Sequence, residues 1–77
     1  MDRTTGTIVR LIRERGFGFI QHAHSTLEYF FHRKGCMEGT PFYDLGEGEV
    51  VEFEPDDHAV KGPEARLVSR DITVQGS

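Results

Sequence analysis

Seventy-seven residues, 36% of them hydrophobic and 29% charged, allow one small domain with a single core and too little remaining volume for a large catalytic cleft. No run approaches the roughly 20 apolar residues of a membrane span. The opening Met1-Asp2-Arg3-Thr4-Thr5-Gly6 has no secretory core, and the single cysteine, Cys36, cannot close an internal disulfide, so a cytoplasmic protein is expected.

The net charge of −4 is unevenly spread: residues 1–34 hold six Lys/Arg against three acids, and residues 35–77 hold three against ten. Binding answers to the local field, so the negative total does not exclude a nucleic-acid partner.

In chain order, glycine separates short runs rich in Val, Ile, Phe, Thr and Tyr, which are strand formers. The runs predict strands over 5–13, 17–22, 28–33, 49–54 and 65–73. No window of ten or more residues keeps a helical period, so helix content should be small. A connection of about 15 residues, with Gly35, Gly39, Pro41 and Gly46, joins the third run to the fourth. Gly62-Pro63 marks the turn before the last run. Five short strands in so small a chain suggest an all-β barrel or sandwich that protects its edges. The domain is expected to span 1–75, with Gly76-Ser77 as a frayed end or cloning remnant.

The most informative run is Arg15-Gly16-Phe17-Gly18-Phe19-Ile20-Gln21. Alternate side chains of a strand share a face, so Phe17 and Phe19 point one way and Gly18 and Ile20 the other. In Glu28-Tyr29-Phe30-Phe31-His32-Arg33, Phe30 and His32 likewise oppose Tyr29 and Phe31. If Ile20, Tyr29 and Phe31 fill the core, then Phe17, Phe19, Phe30 and His32 form an outer aromatic patch. Arg10, Arg13, Arg15, Arg33 and Lys34 would flank it. Such a patch suits unpaired bases, whose π-faces stack on the rings while cations follow the phosphates. Parity alone leaves the choice of buried face open, because both faces carry apolar groups.

Arg15-Gly16-Phe17-Gly18-Phe19-Ile20 resembles the first ribonucleoprotein motif of the cold-shock domain family, and Tyr29-Phe30-Phe31-His32-Arg33 is similar to its second. Gly6-Thr7-Ile8-Val9-Arg10, Leu45-Gly46-Glu47-Gly48 and Lys61-Gly62-Pro63 resemble its first strand, its turn before strand four and its last hairpin. The resemblance runs over about residues 6–74. It implies a five-stranded antiparallel OB-fold barrel that binds single-stranded RNA or DNA on strands one to three, with some preference for pyrimidine-rich sequence. It implies base stacking by Phe17, Phe19, Phe30 and His32, basic contacts from Arg10, Arg15 and Lys61, and a base contact from Phe42 in the long loop.

Two departures stand out. Leu11 takes the place of the family's strand-one Trp, and Arg33 follows the second-motif His where an aromatic is usual; both stand at expected nucleic-acid contact positions. Two lost stacking surfaces would weaken binding or shift the site. Arg33 can recover part of this, because its guanidinium plane stacks on bases and pairs with phosphate.

Other chemistry is thinly supported. His22, His24, His32 and Cys36 are zinc-binding types, but no Cys-x2-Cys pair is present, and no metal site is expected. Cys36 reads as a loop thiol rather than a nucleophile. Neither Gly16-x-Gly18 nor Gly46-x-Gly48 opens a helix as a phosphate loop must. The acids Asp44, Glu47, Glu49, Glu52, Glu54, Asp56 and Asp57 read as a solvent face, which could also dock a basic protein. The expected role is therefore non-catalytic single-strand binding without a cofactor, as an RNA chaperone or a regulator of transcription or translation. The rival is a barrel that has lost binding and serves as a protein-interaction module.

Overall fold

In the computed structural model, which describes residues 3–60 and 62–70, five strands follow the predicted order: β1 (Thr4–Ile12), β2 (Phe17–His22), β3 (Glu28–His32), β4 (Val50–Asp56) and β5 (Glu64–Ser69). Single 3₁₀ turns cover Arg13–Arg15, Arg33–Gly35 and Phe42–Asp44, and no α-helix occurs among the described residues. The strand boundaries differ from expectation where these turns intervene. Arg13 and Arg33 each leave the sheet to begin a turn. Residues 71–73 of the expected last strand, and the expected domain end at 75, lie outside the described residues.

The strands close into a barrel in the order β1-β2-β3-β5-β4. Four seams are antiparallel, as expected, and the fifth, between β3 and β5, is parallel through Phe30 and Glu64. The reason is parity: an odd number of strands cannot alternate direction all the way round a closed ring. The core holds Ile8, Ile20, Tyr29, Phe31, Phe42, Leu45, Val51, Phe53, Ala65 and Val68, each nearly or wholly removed from water. Ile20, Tyr29 and Phe31 thus occupy the inner face, which leaves Phe17, Phe19, Phe30 and His32 on the outer one.

Two bulges break the alternation. Ile8 pairs with Ile20 but Arg10 pairs with Phe19, so Val9 is an extra residue in β1. A bulge shifts every later side chain to the other face. Beyond it, Leu11 turns inward opposite Gly18, whereas Arg10 and Ile12 turn outward opposite Phe19 and Phe17. Gly18 is required there, because a Cβ would sit 2.6 Å from the Arg10 carbonyl oxygen and 2.9 Å from both Leu11 and Phe31 side chains.

The second bulge lies in β5, between Arg66 opposite Glu54 and Ser69 opposite Glu52, where Leu67 takes φ of +51°. Arg3 clamps it, donating from Nη2 to the Leu67 carbonyl (2.7 Å) and from Nε to the Glu52 carboxylate (2.6 Å). Glu52 is only 1% exposed. The expected solvent face of β4 is therefore corrected at this residue, whose carboxylate is buried because Arg3 pairs with it.

Candidate nucleic-acid interface

The register of β2 and β3 sets Phe17 opposite His32 and Phe19 opposite Phe30. Directly opposed residues of an antiparallel pair share a face, so the four side chains gather on the outer surface, all half-buried. The rings pack on one another, with centroids 5.3 Å apart for Phe17–Phe30, 5.9 Å for Phe19–Phe30 and 6.0 Å for Phe17–Phe19. Mutual contact holds each ring in place while leaving ring surface open to solvent. The bulge in β1 and the parallel seam extend the face into two rows. One runs Arg10–Phe19–Phe30–Glu64 and the other Ile12–Phe17–His32. At the β5 end the first row opens into a cleft of about 470 Å³, lined by Phe19, Phe30, Val60, Gly62 and Glu64.

Cations stand around the rings. Arg10, Arg15, Arg33 and Lys34 are exposed, and among the described residues their side chains make no hydrogen bond or ion pair. Arg33 is drawn to the β2 end of the face, where its backbone N–H donates to the Gly16 carbonyl (2.8 Å). Its aliphatic stem crosses Gly16, where a Cβ would lie 2.8 Å from Arg33 Cδ. Gly16 is fixed twice over, since its φ of +74° also favours glycine. Arg13, expected in the rim, is committed instead to the fold: its Nη2 donates to the Leu45 carbonyl (2.6 Å) and ties the first turn to the long loop.

His32 is oriented by its own backbone. Its Nδ1 accepts the Lys34 N–H (3.1 Å), which places the proton of the neutral ring on Nε2 as a donor.

Two expected contact residues are placed elsewhere. Leu11 packs against the core beneath Gly18 because of the Val9 bulge, so Arg10 holds the outer position facing Phe19. Phe42 is 4% exposed and packs on Phe31 at 5.7 Å. Its neighbour Tyr43, 56% exposed, is the ring that this loop presents to water. Lys61 lies outside the described residues. Three residues of the face were not anticipated from sequence: Ile12, turned outward by the bulge, and Val60 and Glu64, brought in by the parallel seam and the last hairpin.

The remaining candidates have structural partners. His22 Nε2 lies 3.1 Å from Thr4 Oγ1, and its Nδ1 accepts the His24 N–H at 3.1 Å. Among the described residues no group of three or more His, Cys, Asp or Glu could hold a metal ion. Burial pushes the Cys36 thiol up to about 11, leaving it protonated at neutral pH. Burial also raises Tyr29 to about 12, reinforced by its O–H donating to Asp57 Oδ1 at 2.6 Å.

Several acids are likewise engaged within the fold. Glu47 Oε2 accepts the Leu11 N–H (3.0 Å) at the open edge of β1. Glu49 accepts from Arg70 Nε (3.0 Å), and that hydrogen bond holds its carboxyl below the usual range. Among the described residues no helix is long and apolar enough to cross a membrane.

Comparison with known proteins converges on one family. Residues 4–70 match the model of the 'Cold-shock' DNA-binding domain. Probable cold shock protein A of Mycobacterium tuberculosis is 40% identical over 60 residues, 78% of this chain and 87% of that protein. Cold shock-like protein CspC of Escherichia coli is 37% identical over 65 residues, 84% of this chain and 91% of that one. Glycine-rich protein 2 of Nicotiana sylvestris is 33% identical over 72 residues, 94% of this chain but 31% of its own length.

Proposed function

The chain belongs to the cold-shock domain family, and on that premise we propose that it binds single-stranded RNA or DNA without catalysing a reaction. Unpaired bases stack on Phe17, Phe19 and Phe30, His32 Nε2 donates to a base or phosphate, and Arg10, Arg15, Arg33 and Lys34 follow the backbone. The observation that carries this reading is the ring trio itself. Three phenylalanines pack together on the outside of a barrel whose inner face is already filled by Phe31, Phe42 and Phe53. A folded chain gains little from such rings unless something flat covers them. A duplex hides its base faces, so the ligand is single-stranded.

By binding open strands, the domain shifts RNA away from hairpins through mass action, which is chaperone activity in the cytoplasm. The same binding can act on transcription or translation. Pyrimidine-rich sequence is the preference that family membership suggests.

Fluorescence anisotropy of a labelled single-stranded heptamer, titrated at two salt concentrations beside a duplex control, tests the reading. Saturable binding to the single strand alone is expected, with a log–log salt slope of about −2 to −3 if all four cations meet phosphate. No binding at low salt and about 100 µM protein would overturn it and favour the protein-interaction module.

A further inference from the structure

We propose that Glu64 reads one base in the cleft beside Phe19 and Phe30, selecting a base whose pairing edge carries an exocyclic amino group, so that guanine, cytosine and adenine are favoured there over uracil and thymine. This rests on the stacking reading above and adds a specificity residue to it. Glu64 is the cross-strand neighbour of Phe30 in the parallel seam and lines the cleft with Phe19, Phe30, Val60 and Gly62. The adjacent backbone is already engaged, because the Phe30 N–H donates to the Pro63 carbonyl (3.1 Å). Among the described residues the Glu64 carboxylate makes no hydrogen bond or ion pair. Asp56, opposite Glu64 in β4, is instead used locally, its Oδ1 accepting the His58 N–H at 3.1 Å.

An ionised carboxylate only accepts hydrogen bonds. A base stacked on Phe30 with its pairing edge toward Glu64 must therefore present donors. Guanine offers two adjacent donors, which match the two carboxylate oxygens, and cytosine and adenine each offer one amino group. Uracil and thymine present one N–H between two carbonyl oxygens, and those oxygens would face the negative charge. The carboxylate also repels phosphate. The backbone is thereby pushed to the Arg10, Arg15 and Arg33 side of the face, and the bases point toward the cleft.

The test is a set of labelled heptamers of uridine carrying one cytidine or guanosine, moved through the seven positions. For the wild-type protein, one position should gain about tenfold in affinity from either substitution. In Glu64→Gln, whose amide both donates and accepts, that gain should collapse and uridine should bind more tightly. An independent arm needs no protein variant: N4,N4-dimethylcytidine at the sensitive position removes the donors and should abolish the gain. If Glu64→Gln keeps the wild-type ranking while Phe30→Ala weakens binding at every position, Glu64 is not the reader and the stacking platform stands. If the wild-type protein binds no heptamer, both the platform and the base selection fall.

Discussion

Phe17, Phe19 and Phe30 lie on one side of β2 and β3, and Ile20, Tyr29 and Phe31 on the other, a single backbone apart. The inner set is sealed against Ile8, Val51 and Phe53, with Phe31 wholly buried. The outer rings pack on one another and stay only half-buried, with exposed arginines around them. Residue type therefore does not decide whether a phenylalanine supports the fold or faces a ligand; the number of layers covering it does. The same contrast holds for the carboxylates. Glu52 is buried and paired with Arg3, whereas Glu64 stands in an open cleft with no partner among the described residues.

The two sets of rings should respond differently to truncation. Phe31→Ala removes a fully buried ring and should cost about 3–5 kcal/mol, enough to leave a domain this small largely unfolded in a urea titration. Phe30→Ala removes a half-buried ring, and about 1 kcal/mol or less is expected in the same experiment. Equal losses would erase the distinction between the faces.

For the carboxylates, Arg3→Ala removes the Nε donor from the buried Glu52 carboxylate and should cost about 1–3 kcal/mol, read from the urea midpoint. Glu64→Gln should leave that midpoint nearly unchanged.

Binding should reverse the order seen in stability. Phe30→Ala or Phe17→Ala should lower heptamer affinity by about 5- to 150-fold, the loss of one stacked base. Arg10→Ala should act more gently, reducing the magnitude of the salt slope by about 0.7.

An effect confined to alkaline pH concerns Tyr29, whose folded pKa of about 12 lies above its unfolded value near 10. Its contribution to stability is fully present below pH 10 and is lost as pH rises through about 12. Tyr29→Phe should flatten the alkaline fall in the thermal midpoint.

Much of this contrast was legible in the residues. Five strand-forming runs between glycines located the strands, and alternation in Phe17–Gly18–Phe19–Ile20 and Tyr29–Phe30–Phe31–His32 sorted the rings into two sets. The choice between the sets needed the fold. Gly18 pointed inward because no Cβ fits between β1 and Phe31, a crowding that spacing alone does not reveal. The bulge at Val9 leaves no compositional mark, so alternation along β1 does not reveal that Leu11 turns inward and Ile12 outward. The burial of Phe42 is hidden for a related reason: in a long loop no periodicity says which of two adjacent rings turns inward. Glu64 was missed because its place depends on the parallel seam, a contact across 34 positions that follows from closing an odd-stranded ring.

Amide chemical-shift mapping with an unlabelled single-stranded heptamer tests the central claim most directly. The account predicts that the largest perturbations fall on Arg10, Phe17, Phe19, Phe30, His32 and Glu64, with Val51, Glu52 and Phe53 nearly silent. Perturbations centred on β4 and its acids, or none at saturating ligand, would contradict it.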